Sequence, residues 1–232
     1  DAVFYTEVDD SWRPWRLRRH VLGTPLEQDI TIAQEDDPGL WLGAALSSDR
    51  RWLVLEAGCS EYSEVSILRI EEAGEQAPQV VVPRGAGVLA SAEPVRIDGR
   101  DVVLLQHDRQ APDGRLSLIE LSDLPGESAE LPGDGFPPGI DIVAPREGLR
   151  VLGFAATQHH LVLEVREDIL PGLRILKTLQ RAHRTEQSEA ETEKGSELHC
   201  IRPRRSRSHC TCSYQQHSRL QSIHDHFEHA HA

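Results

Sequence analysis

Methionine is absent from the 232 residues, and aromatic residues make up only 5 % of them. A translated chain starts with methionine, and its removal before a residue as large as Asp1 is unusual. The expectation is therefore a sequence without its true beginning, which leaves a lost signal peptide open. Long apolar runs are also missing. The longest, around residues 40–46, falls far short of the roughly 18–20 residues of a helical membrane span. Positive charge is scarce, with 25 Lys and Arg against 38 Asp and Glu and a formal charge of −13. Such a chain repels phosphate backbones, so neither nucleic acid nor membrane is an expected partner. Four cysteines lack the density of a disulfide scaffold, which suits a reducing compartment and a cytoplasmic location. What remains, 38 % hydrophobic residues and 17 glycines, is enough for one or at most two domains with a core.

The composition changes abruptly near Leu176. Residues 1–176 hold 16 basic and 31 acidic residues, four histidines and one cysteine, Cys59. The last 56 residues hold nine basic and seven acidic residues, eight histidines and three cysteines. Alternating apolar patterns fill the first part and nearly vanish from the second. The expected organisation is an ordered domain over 1–176 and a low-order, disordered tail over 177–232.

Within the first part, short runs rich in Val, Leu, Ile and aromatics recur between Gly, Pro and Asp. Four of them begin at Val3, Trp52, Val102 and Leu161, and each is followed by a polar turn and a second run, at 15–22, 65–70, 116–121 and 173–176. Strand, polar turn and strand of this length predict four hairpins. Further strand patterns lie at 40–46, 86–97 and 149–155. The spacing of roughly 50 residues points to an all-β propeller with one four-stranded blade per repeat, here a partial β-propeller of about three to four blades. Two similar strings, Val82-Pro83-Arg84 and Ala144-Pro145-Arg146, each lead into a new unit. An ordinary β-sandwich is the competing reading, with turns every 8–12 residues and no longer period.

Most polar candidates read as structure. His20 precedes a glycine turn and reads as a packed or hydrogen-bonded residue. Ser48-Asp49 reads as a turn, and Ser63-Glu64 as the start of the next strand. Trp12, Trp15, Trp41 and Trp52 read as packing between blades. Glu35, Asp36 and Asp37 form a solvated acidic loop able to attract a basic peptide.

Several unlike strings occur in one order: Val3-Phe4-Tyr5-Thr6, Trp12-Arg13-Pro14-Trp15, Arg19-His20-Val21-Leu22-Gly23-Thr24, Glu35-Asp36-Asp37, Ser47-Ser48-Asp49-Arg50-Arg51-Trp52-Leu53 and Ser63-Glu64-Val65. On these, residues 1–176 resemble the amino-terminal propeller of the prolyl oligopeptidase family of serine peptidases, and oligopeptidase B within it. The resemblance implies a propeller that covers an α/β-hydrolase catalytic domain and admits only short, flexible peptides, with cleavage after basic residues. It implies seven blades, of which this chain supplies about half. Incomplete closure leaves strand edges open, so the isolated chain is expected to be marginal and to pair with itself or aggregate.

Such a peptidase needs a nucleophile on a strand–turn–helix elbow, Gly-x-Ser-x-Gly, followed by an acid and a histidine. Gly58-Cys59-Ser60-Glu61-Tyr62 lacks the second glycine and joins two strand patterns. Gly126-Glu127-Ser128-Ala129-Glu130 lacks it too, and His159-His160 has no acid at a defined spacing. No residue is therefore assigned as catalytic, as a cofactor contact or as a metal ligand. The expected partners are a catalytic domain and, through it, peptide substrates. The tail offers Cys200, Cys210 and Cys212 with His199, His209, His217, His224, His226, His229 and His231, which are zinc or copper ligand types. Cys210-Thr211-Cys212 has the wrong spacing for a compact zinc module. A shifted reading frame accounts better for the loss of periodicity. The rival functions are a stand-alone β-repeat interaction module and a metal-binding protein acting through this tail.

Overall fold

In a computed structural model, residues 1–97, 99–124, 135–157 and 160–177 are described, and all regular structure in them is strand or short 3-10 turn. The chain divides after Pro145 into two compact units.

The first unit contains three antiparallel meanders. β1 (Ala2–Val8), β2 (Pro14–Val21) and β3 (Ile30–Gln34) form the first sheet. β4 (Trp41–Leu46), β5 (Trp52–Gly58), β6 (Ser63–Arg69) and β7 (Gln79–Val82) form the second. β8 (Ala90–Ile97), β9 (Arg100–His107), β10 (Arg115–Glu120) and β11 (Ile140–Val143) form the third. Every strand pairs with its neighbour in sequence, so each sheet is a consecutive ribbon.

The middle sheet is buried on both faces, which is why β5 reads as an almost unbroken apolar run rather than an alternating one. Leu53, Leu55 and Ala57 pack with Leu17 and Leu42, with Phe4 and Ile32 of the first sheet at the margin. On the opposite face Trp52, Val65 and Ile67 pack with Val103, Leu105 and Ile119 of the third sheet. Full burial of each such side chain contributes about 1.5–3 kcal/mol. Face-to-face stacking of successive four-stranded meanders is the packing expected of adjoining propeller blades, and three sheets stacked in sequence do not make the two-layer sandwich.

The repeat is finer than the sequence pattern suggests. Register shifts occur at Val65/Ser66 in the second sheet and at Leu116/Ser117 in the third. The 3-10 turns Ile70–Glu72 and Leu121–Asp123 follow β6 and β10. Both pairs of features are 51 positions apart (65 to 116, 70 to 121). Each shift leaves one residue of the outermost strand unpaired, Val81 in β7 and Ile142 in β11, the mark of a β-bulge. Pro83 caps the 3-10 turn Arg84–Ala86 on the way from β7 to β8, and Ala144-Pro145-Arg146 leads from β11 to β12. Both strings therefore sit between sheets, as expected. The strand predicted from 86 begins only at Ala90, because Gly87 takes a left-handed φ of 62° and closes the 3-10 turn first.

The second unit, as far as it is described, is the three-stranded meander β12 (Leu149–Ala156), β13 (His160–Glu167) and β14 (Leu170–Lys177). All four expected hairpins are present as paired strands. Strands β3, β7 and β11 have no counterpart in the sequence reading. The tail with its cysteines and histidines lies outside the described residues.

Candidate functional site

Strand register in the third sheet gathers one polar constellation. Arg115 lies opposite His107, and Ser117 lies opposite both Leu105 and Asp141. His107 and Ser117 are almost completely buried. The Ser117 hydroxyl donates to Asp141 Oδ1 at 2.8 Å, and His107 Nε2 lies 3.1 Å from the same Ser117 oxygen. Arg115 Nη2 pairs with the other Asp141 oxygen. The Phe136 ring lies 4.6 Å from the His107 ring, and the Arg109 guanidinium sits 4.7 Å above Phe136. A cavity of about 320 Å³ opens here, walled also by Gln110, Pro137 and Pro138.

The residue types are those of a hydrolytic triad, but the hydrogen bonds run in the wrong order. An ionised carboxylate can only accept, so the serine hydrogen is committed to Asp141. His107 Nε2 must then donate to the serine oxygen and cannot take its proton, which a nucleophile's base has to do. Burial first, then the Arg115 and Arg109 charges, push the imidazole down to about 4 despite Asp141, so it is neutral. In this arrangement the three side chains tie β9, β10 and β11 together beneath the cavity. Nothing in the sequence announces them. They lie 10 and 24 residues apart, and only the register joins them.

A second group of charges bridges neighbouring sheets. Arg84 reaches Glu64 of the second sheet and Glu35 of the preceding connection, at 3.1 and 2.9 Å. Those two carboxylates hold the guanidinium above its ordinary value. Arg51, just before β5, and Arg69 of β6 both bind Asp101 of the third sheet, at 2.8 and 2.7 Å. Burial alone would raise the Asp101 carboxyl, but the two arginines outweigh it and hold it below the usual range. Glu93 accepts from the Ser48 backbone at 2.7 Å and from its hydroxyl, yet burial still leaves its carboxyl raised. Glu56 has no such help among the described residues. It lies between Gly43 and Val65 on the inter-sheet face of β5, and burial pushes it up to about 7.

The candidates read from sequence fall as follows. His20 Nδ1 lies 2.7 Å from Asp29, which Tyr5 also hydrogen-bonds at 2.8 Å. Asp49 closes its turn by accepting from Ser47 and from Arg51. Ser63 Oγ bonds both the carbonyl and the amide of Ala90, stitching the second sheet to the third. Gly58-Cys59-Ser60-Glu61-Tyr62 is the β5–β6 hairpin turn, closed by Cys59 N–H to the Tyr62 carbonyl at 3.0 Å, with no helix after it. His160 opens β13, whereas His159 and residues 126–130 lie outside the described residues. Trp52 is buried between sheets as expected, but Trp41 is half exposed and Trp12 is more exposed still. Its indole is 80 % exposed, because the residue occupies a left-handed position, φ 63°, in the β1–β2 turn. No helix among the described residues is long and apolar enough to cross a membrane, and no group of three metal-ligand side chains occurs among them.

Residues 1–207 match the family model described as prolyl oligopeptidase, N-terminal beta-propeller domain. "Protease 2" of Moraxella lacunata is 32 % identical over 125 residues, which is 53 % of this chain and 17 % of that relative. Among solved structures, oligopeptidase B from Trypanosoma brucei, in a closed form with covalently bound antipain, superposes with a TM-score of 0.65 at 21 % identity, over 78 % of this chain and 24 % of that one. Oligopeptidase B from Leishmania major gives a TM-score of 0.65 at 18 % identity, again over 78 % and 24 %. The chain thus spans about a quarter or less of these relatives. At such identities the superpositions speak for the fold, and the family model speaks for descent. Consecutive four-stranded meanders, a 51-residue repeat and a match over most of the chain place it in the family of prolyl oligopeptidase N-terminal β-propeller domains.

Proposed function

We propose that this chain is part of the substrate-gating propeller of a cytoplasmic serine oligopeptidase of the oligopeptidase B type, which hydrolyses short peptides after basic residues. The catalytic α/β-hydrolase domain belongs to the portion of the relatives that this chain does not span. The supporting observation is the family match over residues 1–207, carried by sheets stacked in propeller fashion. The reading places the propeller material in residues 1–176, where the alternating apolar pattern runs, and the family match continues beyond that point. Gating has a steric basis: a nucleophile enclosed between a propeller and a catalytic domain is reached by flexible peptides and not by folded proteins. The buried Ser117–His107–Asp141 grouping cannot pass a proton from serine to histidine, so it supplies no hydrolytic centre.

The test is hydrolysis of short arginyl substrates, by the purified chain and then by the chain joined to its encoded continuation. The expected result is no turnover by the chain alone and turnover by the continuous protein, with folded proteins left uncut. Hydrolysis by the chain alone, lost on Ser117→Ala, would overturn the assignment.

A further inference from the structure

We propose that the β1–β2 turn presents Trp12 as a docking platform for an arginine side chain of a partner polypeptide. The indole is the most exposed of the tryptophans at 80 %, and its residue is held at φ 63°. A left-handed backbone is unfavourable for a non-glycine residue and persists only where its surroundings impose it. Here the surroundings are explicit. Asp9 Oδ1 accepts the amides of Ser11 and Arg13, at 2.8 and 3.0 Å. The Trp12 amide donates to the Asp9 carbonyl, and the Asp9 amide to the Arg13 carbonyl, both at 2.9 Å. Arg13 is buried and anchors the turn from below. Its Nη1 donates to the carbonyls of Glu35, Asp37 and Leu40, at 3.2, 2.9 and 2.9 Å. The ring is therefore carried on a fixed backbone, and an incoming group orders little that is not already ordered.

The chemistry of the missing partner is suggested by the chain's other rings. Arg16 covers Trp15 at 3.9 Å, Arg69 covers Trp52 at 4.3 Å and Arg109 covers Phe136 at 4.7 Å. Trp12 has no such cover among the described residues. Carboxylates without a cationic partner among the described residues belong to this turn and to the segment that anchors it: Asp10 in the turn itself, and Asp36 and Asp37 in the connection whose carbonyls Arg13 binds. A planar guanidinium fits this setting better than an ammonium, since it can lie flat on the indole while its edge pairs with a carboxylate. The platform is independent of whether the continuous protein hydrolyses peptides.

The probes are acetylated tetra-arginine and tetra-lysine amides, titrated into the purified chain at low salt and followed by isothermal titration calorimetry in parent and variants, with the Trp12 indole N–H resonance reporting contact in the parent. Saturable binding is expected, several-fold tighter for tetra-arginine. W12A should weaken it at least fivefold. W12G should do the same while accepting the left-handed backbone, which guards against a misfolded variant. D10N/D36N/D37N should weaken binding and flatten its salt dependence. Equal affinity in W12G and the parent would reduce the effect to general attraction by a chain of formal charge −13 and overturn the proposal. Concentration-dependent self-association abolished by W12G, with no peptide binding, would also overturn it, assigning the ring to a second copy of the chain.

Discussion

Glu56 makes the inter-sheet packing sensitive to pH. Its carboxyl lies on the β5 face that packs toward the third sheet, flanked in register by Gly43 and Val65, and forms none of the ion pairs found among the described residues. Burial raises it from 4.5 to about 7. Below pH 4.5 the group is protonated in the folded and unfolded chain alike and contributes nothing. Between 4.5 and about 7 the unfolded chain gives up the proton first, so stability falls as pH rises. Above about 7 the full penalty is present. At 1.36 kcal/mol per tenfold change in affinity for the proton, it amounts to at most about 3 kcal/mol. Glu56→Gln keeps the shape and removes the charge. In urea melts it should match the parent at pH 4 and exceed it by about 2–3 kcal/mol at pH 8, roughly 5–10 °C in a thermal melt. Comparing variant with parent at each pH cancels the other carboxyls. A variant no more stable than the parent at pH 8, or equally stabilised at both pH values, would show that the side chain reaches water and that burial is not what sets its titration.

Other perturbations address the remaining contacts. Arg13→Met should destabilise the first unit by about 3 kcal/mol, seen in denaturant melts, because three carbonyls and Asp9 lose a buried donor. Asp101→Asn should weaken the second-to-third sheet contact by about 1–2 kcal/mol near neutral pH, since it loosens both Arg51 and Arg69. The Asp101 carboxyl is held low in the folded chain, so that difference should disappear in acid as the parent's own carboxylate is protonated. Gly58→Ala would place a Cβ 3.0 Å from Ser63 Cβ and 3.2 Å from the Tyr62 carbonyl, and should cost about 1–2 kcal/mol in the same melts.

What the sequence revealed, and what it hid, follows from which residues are buried twice. Strands β5 and β9 pack on two faces, so Trp52 to Leu55 and Val102 to Leu105 form dense apolar runs that stand out from their neighbours. Strands β3, β7 and β11 are outermost, four or five residues long and partly exposed, and leave too weak a pattern to read. The spacing near 50 was legible because it repeats those doubly buried runs. The bulges that fix the spacing at 51 are backbone events with no composition of their own. The polar constellation was hidden for a related reason: His107, Ser117 and Asp141 meet through register across three strands. Trp12 was misjudged because tryptophan is usually packing material. The signal that could have corrected this is the run Asp9-Asp10-Ser11 before it, three residues that favour a turn over a strand.

Because each described sheet is woven from consecutive strands, the whole of one leaves the ribosome before the strands of the next are made. Contacts within a sheet are short-range in sequence, which favours quick formation during synthesis and spares the growing chain a search for distant partners. The same arrangement makes the joints at 83–89 and 144–148 natural seams for recombination. A gene cut or duplicated there would gain or lose whole ribbons and split none.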